Sequence, residues 1–258
     1  MKKSRASSES PEAAISALVR EHMPQLYRMG VGFCGNHADA QDLVQETLLR
    51  AYRKWDQFEG RADPKTWLYR IASRVCLRMR RRRAGQPAHL ESLDEDPAFA
   101  EKTIVDLDAL ARRREEDVES DAVHRLQDAI AALSGEFRLV LVLKELAGLS
   151  VEDTARVLGL KPQTVKTRLH RARMRLRRSV ASALPRKSGR APAYSRQVCL
   201  DLLKAKQEAL DRGVPFPVQD SLVCERCQAV FATLDLGTDL CRRIGAGPLP
   251  SSLRKLLS

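Results

Sequence analysis

The stretch Ser150–Ser179, SVEDTARVLGLKPQTVKTRLHRARMRLRRS, carries two short helices and the turn between them. Ser150 can cap the first helix, and Asp153, three positions on, completes a capping-box-like arrangement. Gly159 stands where that helix stops, since glycine accepts the left-handed backbone that ends a helix. Pro162 opens the second helix, at a position where its missing N–H costs nothing. Val165, Leu169, Ala172 and Leu176 then recur as one apolar stripe. Two helices across a turn of three or four residues form a helix-turn-helix.

Burying that stripe leaves Gln163, Thr164, Lys166, Thr167, Arg168, His170 and Arg171 facing outward. From Lys161 to Arg178 there are eight Lys or Arg residues and no acid. The N-terminal part of such a helix enters the DNA major groove, where Arg or Lys donates to guanine and Gln reads adenine. Arg173, Arg175, Arg177 and Arg178 lie farther along and suit phosphates. A solvated basic face is the simpler reading of a charge run. It leaves the absence of acids, the capped helix and the glycine turn without a cause.

The rest of the chain fits a polyanion partner. Its 258 residues carry a formal net charge of +12. No stretch of eighteen uncharged apolar residues exists, so no membrane span is expected. The N-terminal MKKSRASSESPEAA has two lysines but no apolar segment after them, which does not fit a signal peptide. A cytoplasmic chain with reduced thiols is therefore expected. No Walker glycine loop, HExxH or G-x-S-x-G is present, so no enzyme chemistry is expected.

Apolar residues recur at helical spacing almost throughout, without an alternating strand of useful length, so the expected fold is all-α. Residues 11–84 form a three-helix unit. Its second helix has Asn36 as a plausible N-cap and a stripe of Leu43, Val44, Thr47, Leu48, Ala51, Tyr52 and Trp55. The third starts at Pro64 and buries Leu68, Ile71, Ala72, Val75, Cys76 and Met79. Residues 85–119 form an acidic linker, partly helical near its end: from Glu91 to Asp121 twelve acids face four bases. Residues 120–182 are the second helical unit, in which EFRLVLVLKELAG (136–148) should be buried ahead of the helix-turn-helix. A Pro/Gly/basic linker, 183–194, leads to a small cysteine-rich helical unit at 195–245.

Taken together, GNHADAQDLVQETLLRAYRKWDQFEG (35–60) and TWLYRIASRVCLRMRRRR (66–83) resemble region 2 of the extracytoplasmic-function (ECF) sigma factors. LSGEFRLVLVLKELAGLSVEDTARVLGLKPQTVKTRLHRARMRLR (133–177) resembles their region 4. The resemblance covers most of residues 20 to 180, and no folded region 3 lies between. It implies a promoter-specificity subunit whose partners are bacterial RNA polymerase core and promoter DNA, with no membrane and no separate anti-sigma factor necessarily required. Catalysis is left to the polymerase. By this resemblance Asp39, Asp42, Gln45 and Glu46 dock on the core enzyme. Asp39 is equally well explained as a helix-start acid favoured by the macrodipole. The loop Asp56–Asp63 corresponds to the pocket for a flipped base of the minus-ten element. Trp67, Tyr69, Arg70 and Arg74 would hold the melted edge there, with core filling as the other reading of Trp67. Arg80 to Arg83 would track phosphates. Region 4 would read the minus-thirty-five duplex through the seven outward residues of its second helix. The acidic linker would thread toward the polymerase active-site channel, or act as an inert spacer.

Three of the six cysteines fall within DSLVCERCQAVFATLDLGTDLC (220–241). Cys224 and Cys227, three apart on a helix, share a face suited to one metal ion. Cys199 lies on the preceding helix and meets them if the two helices form a hairpin, and Cys241 follows in a further segment. Four thiolates satisfy a tetrahedral site, and soft ligands favour copper(I), zinc or cadmium. The stretch is similar to zinc-binding anti-sigma domains, whose pattern is HxxxCxxC. Here Asp220 replaces the histidine, so Cys241 or Asp220 must supply the fourth ligand. The layout also resembles CorE-type sigma factors, in which a C-terminal cysteine-rich domain makes the protein its own metal sensor. That resemblance implies a metal ion, copper first and zinc or cadmium as alternatives. A thiol redox switch and structural zinc are the other readings of these cysteines. A stand-alone helix-turn-helix regulator is the alternative for the whole chain. Cys34 and Cys76 sit in helical stripes as small apolar residues.

Overall fold

The computed structural model describes residues 11–58, 60, 62–83, 103–112, 115–244, 246 and 248–254. Among these residues the chain is helical apart from one two-stranded ribbon, which bears out the all-α expectation. Helices α1 (Pro11–Cys34), α2 (His37–Arg53) and α3 (Pro64–Arg83) form the first unit. Asn36 is extended and its side chain accepts a 2.8 Å hydrogen bond from the Asp39 N–H, the N-cap read from the sequence. Met23, Leu26, Leu43, Val44, Leu68, Ala72 and Val75 are buried between the three helices.

The second unit comprises α4 (Leu107–Arg112), α5 (Glu115–Ala132), α6 (Gly135–Leu141), α7 (Val151–Leu158) and α8 (Pro162–Ser182). Helix α6 continues through one π-type turn, Val142–Leu146, and Phe137 to Leu143 are all buried, as the apolar run required. The Ser150 hydroxyl accepts from the Asp153 N–H at 2.9 Å. Gly159 ends α7 with φ 67°, a left-handed conformation that penalises any side chain. These two features set the angle between α7 and α8 and so aim the face of α8.

The stretches read as linkers each contribute one strand to a ribbon. Strand β1 (Thr103–Val105) pairs antiparallel with β2 (Arg186–Ser188), with Ile104 opposite Lys187. Ile104 and Val105 are buried, and that apolar burial holds the ribbon together. Three residues are too few for alternation to register in a sequence. Residues 85–102 of the acidic linker lie outside the described residues.

The C-terminal unit is a hairpin of α9 (Arg196–Arg212) and α10 (Glu225–Arg243). It does not stand apart. Helix α10 packs on α8, α5, the π-type turn and β1, and its Leu240, Cys241 and Ile244 join the core shared by both sigma-like units. A short α11 (Ser251–Arg254) follows the expected end at 245; Leu253 is fully buried and the Ser252 hydroxyl donates to Gln41 Oε1 at 2.9 Å. The first and second units also close on each other. Buried Arg138 donates from Nη1 to the Phe33 carbonyl at 2.9 Å and lies over the Phe33 ring.

Candidate functional site

The α8 stripe Val165, Leu169, Ala172 and Leu176 is buried, so the seven expected outward residues fall on the remaining surface. Gln163 and Thr167 are exposed, and Thr164, Lys166, Arg168, His170 and Arg171 are half-buried. Gln163, Lys166, Thr167, His170 and Arg171 together line one side of a groove of about 590 Å³. The Thr167 hydroxyl donates to the Gln163 carbonyl at 3.0 Å. Arg168 points away from that groove, into a 2.6 Å ion pair with Glu136 at the start of α6. The phosphate role expected for Arg173 and Arg177 does not hold, because both are buried. A one-face pattern missed the second face of α8, which α10 covers.

On α2, the four expected acids and amides separate into two groups. Asp39 is buried and tied into the cap, its carboxylate accepting from Asn36 Nδ2, so it serves the helix start. Glu46 accepts from Arg50 at 2.6 Å and from Arg78 at 3.3 Å. The hydrogen bond from Arg50, opposed by partial burial and aided by the neighbouring arginines, holds its carboxyl below the usual range. Asp42 and Gln45 are exposed. They align at helical spacing with two large apolar side chains in water, Leu49 at 53% and Tyr52 at 56% exposure. Tyr52 was expected on the buried stripe and is not there. Leu49 was missed; its signal was an apolar residue in register with Asp42 and Gln45 on the polar side.

On α3, Tyr69 is a correction. It is fully buried, and burial followed by the nearby Glu21 charge pushes its hydroxyl far up. A side chain closed inside the core cannot stack on DNA. Tyr69 lies beside the expected stripe, edge-on to His22 of α1 with ring centroids 6.0 Å apart, and is buried because α3 is covered by α1 and α2 and also by α7. Trp67 is half-buried in an aromatic cluster with Trp55 and Phe58, ring centroids 5.6 and 5.3 Å away. Arg74 is exposed, while Arg70 donates to the Arg156 carbonyl on α7 at 2.8 Å.

A capped helix-turn-helix with a basic, acid-free second helix, preceded by a three-helix unit with Asp42, Gln45, Leu49 and Tyr52 exposed on α2, is matched in known proteins. The Sigma-70 region 2 family model matches residues 18–86, and the Sigma-70 region 4 model matches residues 124–176. The ECF RNA polymerase sigma factor SigM of Mycobacterium tuberculosis is 36% identical over 166 residues, 64% of this chain and 76% of that protein. The chain belongs to the ECF RNA polymerase sigma factors. SigE of Mycolicibacterium smegmatis is 34% identical over 167 residues, covering 62% of this chain and 59% of that longer protein. Among solved structures, the sigma factor RpoE in complex with the anti-sigma factor NepR from Bartonella quintana is similar, with a TM-score of 0.46 and 25% identity over 65% of this chain and 96% of that one. As sigma factors are initiation factors, the chain is not an enzyme. No described helix is long and apolar enough to cross a membrane.

In this ECF sigma factor the α9–α10 hairpin lies beyond both matched regions, and it holds the thiol cluster. The sulfurs of Cys199, Cys224 and Cys227 all lie within 4.8 Å of one another. Cys199 sits in the first turn of α9. Cys224 is the N-cap of α10, and Cys227 lies in that helix's first turn. Partial burial alone would raise the Cys224 thiol, but hydrogen bonds from the N–H groups of Cys227, Ala193 and Arg226 carry it below its ordinary value. Those donors stabilise a thiolate. Cys227 is fully buried, and burial followed by the charges of Cys224 and Cys199 pushes it far up. A metal–sulfur bond of ~2.3 Å sets tetrahedral sulfurs about 3.8 Å apart, so the trio fits one soft cation with little movement. Cys241 and Asp220 are not brought into the group. Cys241 is fourteen residues along α10 from Cys227, roughly 21 Å at ~1.5 Å per residue. It is buried in the main core, where burial, then the Glu145 charge, pushes its thiol up. Asp220 lies in a separate single turn, Asp220–Leu222, ahead of α10.

Proposed function

We propose that this ECF sigma factor brings RNA polymerase to promoters through three surfaces and that its cysteine hairpin makes its activity responsive to a soft metal ion. The Asp42, Gln45, Leu49 and Tyr52 stripe of α2 docks on the core enzyme. Trp67 and its aromatic neighbours, with Arg70 and Arg74, hold the melted minus-ten strand by stacking and phosphate contact. The groove face of α8, with Gln163, Lys166, His170 and Arg171, reads the minus-thirty-five duplex. Thr167 lies on that face with them, and Thr164 and Arg168 flank it and position it on the backbone. The observation that carries the DNA reading is the acid-free α8, held by the Ser150 cap and the Gly159 turn with its apolar stripe buried.

Geometry supports a large change of shape on binding. The two promoter elements lie about 25 base pairs apart, roughly 85 Å of B-form DNA at ~3.4 Å per step. A compact chain of this length has a radius of gyration of about 18 Å. The two reading surfaces must therefore part, which releases Arg70 from Arg156. The docking stripe has its own expected result. Leu49→Asp, at an exposed position, should leave the fold intact and weaken core-polymerase binding about tenfold or more, as loss of an interface anchor does. Titration of fluorescently labelled chain with core enzyme measures it, and unchanged affinity would move the docking face elsewhere.

The Cys199, Cys224 and Cys227 cluster supports a metal-responsive, CorE-like control, with copper first and zinc or cadmium as the alternatives. A soft cation held there would join the start of α9 to the start of α10. Metal-free chain is expected to take up one zinc or copper(I) ion. Cys224→Ser/Cys227→Ser should bind at least ~10²-fold more weakly, and its transcription should cease to respond to metal. Stoichiometric uptake surviving in that variant would contradict the site. The lowered Cys224 thiol beside two other cysteines also favours a second reading, a redox switch. There, two thiols lose two electrons and two protons to a peroxide and form one disulfide. Thiol counting on the metal-free chain after peroxide separates the two readings.

A further inference from the structure

The groove that the α8 reading face lines is closed on its other side by α9. Opposite Lys166, His170 and Arg171 stand Lys204, Glu208 and Asp211. A space of about 590 Å³ accommodates a few side chains. A reading helix, by contrast, needs a B-DNA major groove about 12 Å wide and 8.5 Å deep laid over it, with the duplex behind. Helix α9 thus stands across this groove from the face of α8 assigned to DNA, and a duplex has no room between them.

Both ends of α9 are anchored. At its start, Cys199 and Leu203 share a small apolar core with Cys227, Val230 and Phe231 of α10 and with Met174 of α8 itself. Near its end, Gln207 and Asp211 accept hydrogen bonds from Arg173 Nη1 at 3.1 and 2.6 Å. Arg173 is two residues past Arg171, the last of the reading residues of α8, and only 3% exposed. Its other face is held by Glu145, which accepts from Nε at 3.0 Å and from Nη2 at 2.6 Å. A buried arginine with three partners, two of them on α9, is a latch placed directly behind the DNA-reading surface.

We propose that α9 is an intramolecular cover of the minus-thirty-five reading face, latched through Arg173 to Gln207 and Asp211, and that promoter reading requires α9 to leave. This rests on the assignment of α8 as the minus-thirty-five reader. It places the control exercised by the cysteine hairpin at DNA recognition by region 4. Glu208 is exposed on α9 at the groove, facing the basic side chains, so it is the substitution least disturbing to the fold.

The test measures binding of the full chain to a duplex carrying a minus-thirty-five sequence selected by its own holoenzyme, beside a scrambled duplex. Glu208→Lys turns attraction across the groove into repulsion. It should bind the selected duplex at least tenfold more tightly than the native chain while changing the scrambled duplex little. Asp239→Lys, an exposed site on α10, makes the same charge change away from the groove and is the control. Gln207→Ala/Asp211→Ala, which removes the latch, should act in the same direction as Glu208→Lys. Equal behaviour of Glu208→Lys and Asp239→Lys on both duplexes would overturn the cover. Failure of the underlying assignment reads differently: Lys166→Ala/Arg171→Ala would then bind selected and scrambled duplexes with the native preference.

Discussion

Arg173→Ala is expected to be the most damaging single substitution away from the cysteines, destabilising the chain by about 3–5 kcal/mol. Arg173 is buried, and burial by itself disfavours its charge. The carboxylates of Glu145 and Asp211 nevertheless hold its pKa above the ordinary arginine value. Their side chains are only 2% and 5% exposed, so removing the guanidinium leaves two carboxylates out of water without a cation. The loss also opens packing between α8, the π-type turn and α10. A urea midpoint shift measures the effect. Replacing all three charged groups, Arg173→Met/Glu145→Leu/Asp211→Leu, should recover most of it, because the damage comes from the unpaired charges and not from absence of the network. If the triple variant is as unstable as the single one, packing around the guanidinium stem is the cause instead.

The second large effect concerns promoter choice. Lys166 and Arg171 lie on the groove face of α8, whereas Arg168 pairs with Glu136 on its other side. A side chain that donates to a base edge contributes about 1–3 kcal/mol of discrimination. Lys166→Ala/Arg171→Ala should therefore lower initiation by holoenzyme about 10²-fold at promoters that depend on the upstream element. Arg175→Ala, farther along the same helix where a phosphate contact is expected, should weaken binding evenly across sequences and reduce the salt slope by about 1. Run-off transcription over a salt series measures both. A double variant that weakens all promoters evenly would make these residues phosphate contacts as well.

Where a helix buries one face, the sequence was a good guide, Tyr52 at the end of the α2 stripe excepted. The Asn36 cap, the Pro64 and Pro162 starts, the Ser150 cap, the Gly159 stop and the α8 stripe all rest on local rules, and all appear in the fold. Helices covered on two sides escaped that reading. Tyr69 on α3 and Arg173 and Arg177 on α8 lie on second faces whose covering elements come from distant parts of the chain. Periodicity detects one apolar face, and Arg173 is not apolar: its burial depends on Glu145 and Asp211, residues 28 and 38 positions away. The cysteine cluster was legible in part. The short Cys224–Cys227 spacing and a helical hairpin suffice to bring in Cys199, whereas Cys241 looked near in sequence and is carried away by the rise of α10. Leu49 shows the opposite case, an apolar residue outside every buried stripe that was visible all along as an exception.

Core polymerase carrying this chain is expected to choose promoters through two separate surfaces, one on each sigma region. The most direct measurement is transcription by core enzyme plus this chain from a library with random sequence upstream of the start site, followed by sequencing of the templates used. Two enriched blocks at a fixed separation are expected. Lys166→Ala/Arg171→Ala should erase only the upstream block, and Trp67→Ala/Arg74→Ala only the downstream one. No enrichment with core enzyme present, together with tight sequence-specific duplex binding by the chain alone, would contradict it.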